Sequence, residues 1–550
     1  MAGHQKECVM MKREKDWWKR AAVYQIYPRS FCDSNGDGIG DIPGIIGKLD
    51  YLEDLGADAI WLSPVFCSPQ ADNGYDISDY RDIDPIFGSL RDMEELIAEA
   101  DRHGIGVLLD LVLNHTSDQH EWFRRARSSR TDPFHDFYIW RDGEEGILPD
   151  QQIAAFGGPA WEWVPEIQQY YFHHFAVQQP DLNWKNPEVR EALYDMIRFW
   201  VDKGAAGFRL DVVDAFGKEV DKGIIADGPM LHPYIQEMRR KAFVRDDLLT
   251  VGEAWSVNLE SAAKYAAPDG SELSMVFSFE HLMLDVGPEN DRWHPEPLRF
   301  RELKKTMAKW QNEMAGRGWN PLFWENHDVP RIVSRFGDGG RYRAESAKML
   351  AIVLLGMQGT PYIYQGQELG MTDPSYPIED YRDLATINYY EEAGLEGVSE
   401  EERMAAIHAQ SRDNARTPMQ WDGGPQAGFT TVTPWIRVNP NCSEINAAAQ
   451  IHDPQSVFSL YRELIRLRKQ IPVFTDGDFE LLLPDHDAVF AYRRTCSESE
   501  LLVVANFYGE TIPDPLAEEE KGMKALVRSF TDERIEGNLR PYEAVLYYTE

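Results

Sequence analysis

Residues 207–213 read GFRLDVV, an apolar run in which Arg209 and Asp211 stand among Phe, Leu and Val. Ionised groups are expensive in a buried strand unless they are paired or used. The pattern recurs along the chain. GVLLDLVLNH ends in Asn114 and His115, LLTVGEA carries Glu253, and PLFWENHD ends in His327 and Asp328. A single strand-end Asp is ordinarily a helix cap or turn former, and a single His a satisfied core residue. Four strands ending this way bring together three carboxylates, two histidines and an arginine. The chain shows no cysteine nucleophile, no G-x-S-x-G elbow and no Gly-rich phosphate loop, so the set points to glycoside chemistry. An oxocarbenium-like transition state needs one carboxylate as nucleophile and one protonated acid on the leaving oxygen. Aromatic residues, 12% of the chain, offer the stacking surfaces that sugar faces require.

Such groups meet only if the strands that carry them end in one place. Apolar strand candidates lie near 22 (AVYQIYP), 58 (DAIWLSP), 106, 207, 248, 275 (MVFSFEH), 321 and 360 (TPYIYQG). Helical patterns between them, such as LRDMEELIAEADRHG and VREALYDMIRFWVDKG, close on Gly. Eight strand–helix repeats predict an α/β fold, a parallel (β/α)8 TIM barrel whose catalytic groups sit at the C-terminal strand ends. Residues 116–179 are rich in aromatics, Gly and Asp without a clear helix. That is too long for a loop and reads as a subdomain inserted after strand three. Beyond 475, VFAYRRT, ELLVVANFY and AVLYYTE alternate as antiparallel strands do and predict a C-terminal β-sandwich. The expected domains are the barrel (1–115 and 180–475), the insert (116–179) and the C-terminal domain (476–550).

The chain has 92 acidic and 56 basic residues among 550, a net charge of −36, which argues against nucleic acid or an anionic membrane as partner. Five scattered cysteines, Cys8, Cys32, Cys67, Cys442 and Cys496, show no metal-ligand spacing and read as reduced thiols. The first twenty residues lack a secretory apolar segment, with Met11 as an alternative start, and MLAIVLLGM is too short to span a bilayer. The expectation is a cytoplasmic monomer or weak homo-oligomer acting on a small oligosaccharide.

At this point the motifs resemble a known group. DLVLNH, GFRLDVV, TVGEAW and WENHD, in this order, resemble the signature segments of glycoside hydrolase family 13, the α-amylase superfamily. QPDLNW and GTPYIYQGQELGM match two further segments. YQIYPRSF, DNGYDISDY and RDNARTPMQW are similar to the oligo-1,6-glucosidase and dextran glucosidase group. The resemblance implies Asp211 as nucleophile, Glu253 as general acid/base and Asp328 as a third carboxylate gripping sugar hydroxyls. It implies that His115 and His327 bond the same sugar, that Arg209 fixes Asp211, and that Asp72 and Arg416 pair behind the non-reducing end, with Tyr75 as stacking platform. Arg209 should keep Asp211 ionised while Glu253 stays protonated until it donates. The group retains anomeric configuration, which places the two carboxyls about 5 Å apart.

CDSNGDGIGD sets Asp33, Asn35, Asp37 and Asp41 at alternate positions around Gly38, with the Ile39 carbonyl where an EF-hand loop uses its backbone ligand. Gly44 stands at the twelfth position in place of Glu, so a paired-helix sensor is not expected. The expectation is a structural Ca²⁺, which the resembling group carries here, over a self-bonded turn loop.

Val212 follows the nucleophile as it does in α-1,6-acting members of the group, and Trp255 resembles a dextran glucosidase position that could stack on the leaving sugar. Ala385, Gln367 and Asp214 replace the usual Glu, Glu and Asn. The expected activity is exo-hydrolysis of α-1,6-glucosidic bonds in isomalto-oligosaccharides, with a broader maltose- or sucrose-acting α-glucosidase as the alternative. A sucrose isomerase is disfavoured because SRFGDGGRYR replaces a charged loop after Asp328. A non-catalytic, transporter-associated relative is disfavoured because the carboxylates are kept.

Overall fold

The computed structural model describes residues 13–287, 291–497, 499–532, 535 and 537–550; Cys8 and Met11 lie outside the described residues. The chain divides into two compact units. One comprises the described residues up to 17, with 41–53 and 58–277; the other comprises 18–40, 54–57 and the described residues from 278 onward.

Eight parallel strands with intervening helices make a (β/α)8 barrel. They are β1 (Val23–Ile26), β2 (Ala59–Leu62), β3 (Gly106–Leu111), β4 (Gly207–Leu210), β5 (Leu249–Glu253), β6 (Met275–Phe277), β7 (Pro321–Leu322) and β8 (Thr360–Tyr364). Each falls within an apolar run picked out from the sequence. Within the first unit the order is β6-β5-β4-β3-β2. Strand β4 is held between β3 and β5, with Arg209 opposite Asp110 on one side and Val251 on the other. Strands β2 to β5 are buried along their whole length, which is why they read as nearly continuous apolar runs. In the second unit β8 pairs with both β1 and β7.

The helices follow local rules. Pro187–Lys203 starts on Asn186, whose side chain caps Glu188 N–H, with Pro at N1. It stops at Gly204, whose φ of +105° is the left-handed C-terminal conformation that glycine adopts without strain. Leu90–Arg102 begins in a capping box between Ser89 and Asp92. Among the described residues no helix is long and apolar enough to cross a membrane.

The segment 116–179 folds as a three-stranded antiparallel sheet, Trp140–Asp142, Gln169–Phe172 and Trp161–Val164. It also contains a helix, Glu121–Ala126, against the helix-free reading of the sequence. Six residues are too few to show a helical period, and His120 supplies the cap through its ring nitrogen, a residue not counted among the usual N-caps. In the second unit, strands Asp478–Leu482, Val489–Cys496, Ser499–Asn506, Ala544–Thr549 and Lys524–Arg528 form an antiparallel sheet in that order. Leu516 and Leu539 join the apolar core made by its inward residues Val489, Ala491, Leu502, Val504 and Val545. Only the three longest of these strands stood out in the sequence. The four described cysteines are free thiols.

Candidate active site

In the first unit the site is organised around one buried guanidinium. Arg209 lies within β4, and its Nη1 donates to Asp211 at 2.7 Å and to Asp110 at 2.8 Å, while Nη2 pairs with Glu253 Oε2 at 2.5 Å. The second oxygen of Asp110 accepts from Trp61 Nε1 and from the Tyr75 hydroxyl. Arg209 also lies over the rings of Trp61 and Tyr75 at 5.3 and 5.8 Å. Arg209 is thus fixed by groups from β2, β3 and the Tyr75 loop, and two of the three carboxylates it holds are those expected to do chemistry. Asp110 was not singled out in the sequence. Its signal was present, a lone carboxylate within GVLLDL that falls directly opposite Arg209 in the strand register.

One cation among three buried carboxylates cannot neutralise them. Burial pushes Asp211 well above the ordinary carboxylate range; Arg209 opposes this, and the charges of Glu253 and Asp110 add to it. Burial likewise raises Asp110 to about 6 in spite of Arg209. Arg209 does act on Asp211 in the expected, lowering direction, but burial outweighs it. Asp211 and Asp110 are thus both pushed upward, burial acting first and the charge of Asp110 adding to it on Asp211.

Around this core, Val212 N–H donates to Glu253 Oε2 at 3.3 Å, and Trp255 Nε1 donates to Glu253 Oε1 at 3.2 Å. Trp255 is 50% exposed, an unusual position for a large indole. Val212 has φ +34° and ψ 50°, the left-handed region, where a β-branched residue is a genuine outlier. Strain of this kind persists where the surroundings over-determine it. His115 is buried, its Nε2 3.1 Å from the Tyr75 carbonyl and 3.1 Å from the Gln179 amide, and burial lowers it to about 4, so it is neutral near pH 7. Gln179 also donates to Asp72 at 3.0 Å. These contacts connect Asp72, Tyr75, His115, Arg209, Asp211, Val212, Glu253 and Trp255 in one unit.

The second unit gathers the remaining predicted residues. Asp328 Oδ1 accepts from Arg416 at 2.8 Å and from Arg412 at 3.3 Å, and Oδ2 lies 3.2 Å from His327 Nε2. His327 is fully buried, its Nδ1 2.8 Å from the Gln25 amide and its ring stacked on Tyr27. Arg412 also pairs with Asp383. Burial would raise Asp383, but Arg412 and Arg416 hold it down at about 2. Arg412 and Asp383 escaped the sequence reading because neither lies at a strand end. Gln367 accepts from Tyr364 N–H and donates to the Tyr461 hydroxyl, a bond that a carboxylate in its place could not donate.

In the loop after β1, Asp33 accepts from the N–H groups of Asn35, Gly36 and Gly38 at 3.0, 2.7 and 2.8 Å and from Thr430 at 2.5 Å. These bonds hold it below its ordinary range although partial burial pushes upward. Gly38 has φ +92°, and a Cβ there would meet the Thr433 carbonyl oxygen at 2.4 Å. Asp37 accepts from Ile39 N–H, and Asp41 caps the helix Ile42–Ile46. Among the described residues the only acidic or His/Cys trio gathered closely enough to share one ion is Asp50, Glu53 and His103, at the surface. The carboxylates of Asp33, Asp37 and Asp41 each accept from backbone N–H groups of their own segment. The loop's donor chemistry, carboxylates with an amide and a carbonyl, is all oxygen and suits a hard cation.

A (β/α)8 barrel with paired carboxylates at its strand ends is an arrangement that glycoside hydrolysis can use. The family description "Alpha amylase, catalytic domain" matches residues 25–477, and the chain belongs to that family. It is 49% identical over 559 residues to an oligo-1,6-glucosidase of Parageobacillus thermoglucosidasius, covering 97% of this chain and 99% of that one. It is 48% identical over 558 residues to a trehalose-6-phosphate hydrolase of Bacillus subtilis (strain 168), covering 98% and 99%. Among solved structures, a trehalose-6-phosphate hydrolase of Bacillus licheniformis superposes with a TM-score of 0.91 at 46% identity, covering 97% of this chain and 99% of that one.

Proposed function

We propose that this enzyme is a retaining exo-α-glucosidase that hydrolyses α-1,6-glucosidic bonds at the non-reducing ends of isomalto-oligosaccharides. The observation that carries the reading is that Arg209 holds Asp211 and Glu253 on the two terminal nitrogens of one guanidinium. A retaining pair sits about 5–5.5 Å apart, so that one carboxylate attacks while the other serves the leaving group, and sharing one guanidinium keeps two carboxylates near each other. Asp211 attacks the anomeric carbon as the glycosidic C–O bond breaks, and Glu253 gives its proton to the departing oxygen. Glu253 then takes a proton from water, which releases glucose from the Asp211 ester. Asp328, His115, His327, Asp72, Arg416 and Tyr75 are assigned to the glucosyl unit on the non-reducing side. Val212 and Trp255, both bonded to Glu253, adjoin the leaving sugar. The similarity to named oligo-1,6-glucosidases supports the linkage.

Initial rates on isomaltose, panose, dextran, maltose, sucrose, trehalose and trehalose 6-phosphate test this reading, with proton NMR of the first-formed anomer. The expected result is fastest cleavage of isomaltose and panose with release of α-glucose. Preference for trehalose 6-phosphate or maltose, or release of β-glucose, overturns it.

We also propose a structural Ca²⁺ in the loop after β1, held by Asp33, Asn35, Asp37, the Ile39 carbonyl and Asp41. Its donor chemistry supports the ion, which takes no part in the steps above.

A further inference from the structure

Asp214 lies three residues beyond Asp211, and Ser256 three residues beyond Glu253. Asp214 is buried in the single 3-10 turn Val213–Ala215 that follows Val212, and its Oδ2 accepts from Ser256 N–H at 3.0 Å and from Ser256 Oγ at 2.8 Å. These two bonds tie the segment leaving Asp211 to the segment leaving Glu253. The second segment is anchored at its ends, by buried Ala254 and by the capping box of Asn258 with Ser261. Residues 254–258 join β5 to the helix Leu259–Tyr265, and Trp255, Ser256 and Asn258 are exposed, so core packing does not fix them. Yet Trp255, next to Ser256, donates directly to Glu253.

We propose that Asp214 is a positioning residue for the acid/base: its clamp on Ser256 sets the turn that aims Trp255 and Glu253 against the segment carrying Asp211. The proposal rests on the assignment of Glu253 as general acid. Its physical basis is the cost that the site accepts. Among the described residues Asp214 forms no ion pair, and burial pushes its carboxyl upward, with only the two Ser256 bonds opposing and the charges of Glu253 and Asp227 adding to the push. A buried carboxyl without an ion pair is expensive, and one whose two side-chain hydrogen bonds both go to the exposed turn beside the acid/base fits a positioning role. Where Asn stands in the resembling group, a carboxylate gives Ser256 a stronger, charge-assisted acceptor.

The test compares kcat/KM, which reports the glycosylation step, on isomaltose and on an aryl α-glucoside with a leaving group that needs no protonation. Asp214→Ala should lower kcat/KM on isomaltose about 10-fold or more beyond its effect on the aryl glucoside, part of the roughly 10²–10⁴-fold that general acid catalysis supplies. Ser256→Ala, at an exposed position that tolerates change, should show the same selectivity to a smaller extent. Asp214→Asn, whose amide oxygen still accepts from Ser256, should restore most of the difference. Glu253→Gln is measured alongside. If Glu253→Gln is selective against isomaltose and the Asp214 and Ser256 variants slow both substrates equally or not at all, the positioning role is overturned and the acid/base assignment stands. If Glu253→Gln itself shows no selectivity, the acid/base assignment falls and the positioning role with it.

Discussion

Replacing Val212 by Thr tests the linkage preference at the residue between the nucleophile and the clamp. Val212 holds φ +34°, which costs an L-residue roughly 1–2 kcal/mol. Thr is also β-branched and of similar size, so that backbone cost is common to both proteins and the swap isolates one methyl against one hydroxyl. Val212 is partly buried, so the folding change should stay near 1 kcal/mol or below, within the range of tolerated substitutions. The specificity change should be larger. Val212 N–H donates to Glu253, and on the function proposed above its apolar side chain adjoins the leaving sugar and offers a sugar hydroxyl no partner. One such contact is worth about 1–3 kcal/mol, or roughly 10- to 200-fold in relative kcat/KM. Val212→Thr should therefore raise the maltose-to-isomaltose ratio of kcat/KM by about 10-fold, at the lower end of that range. Val212→Gly serves as a control. It removes the strain and the side chain together and should lower kcat/KM on both substrates by freeing the N–H that meets Glu253. A wild-type enzyme that cleaves maltose as efficiently as isomaltose refutes the reasoning, as does a Thr variant with an unchanged ratio and an intact fold.

Asp211→Asn should keep its circular dichroism spectrum and retain below about 1% of wild-type activity on an aryl glucoside, because an amide cannot form the glycosyl ester; activity of several per cent would remove Asp211 as nucleophile. Verified removal of Ca²⁺ with EDTA should lower the melting temperature, and restoring the ion at about 100 times its Kd should return about 2.7 kcal/mol of stability. A melting temperature indifferent to both treatments leaves the loop after β1 as a self-bonded turn. Burial lowers His120 to about 4, and its Nδ1 accepts from Trp122 N–H, a bond that protonation would break. Because the folded value lies below the unfolded one, its contribution is present above about pH 6.5 and is lost as the pH falls towards 4. Relative to His120→Asn, which keeps a cap acceptor but does not titrate, the wild type should lose about 2 kcal/mol between pH 7 and pH 5 in urea unfolding. Parallel stability curves for the two proteins would place the His120 titration elsewhere.

The sequence by itself determined the eight strands and the residues expected to carry the chemistry. A parallel strand buried on both faces must be apolar along its length, and a polar residue at its end stands out against that background, so Asp211, Glu253 and Asp328 were legible in one dimension. Their grouping around particular cations was not. Asp110 looked like one polar residue in a core strand until the register set it opposite Arg209, and only then did a single guanidinium among three carboxylates become visible. Burial and that crowding outweigh the lowering that Arg209 exerts on Asp211, because burial and like charge are sums over neighbours far apart in the chain. Arg412 and Asp383 were silent because neither lies at a strand end, and only their pairing in the fold marks them. Asp214 was noticed as a departure, but its partner Ser256 lies on another strand's exit loop, and no spacing rule links the two. The left-handed backbone of Val212 had no sequence signal, since local propensity argues against it and only the tertiary contacts on either side impose it.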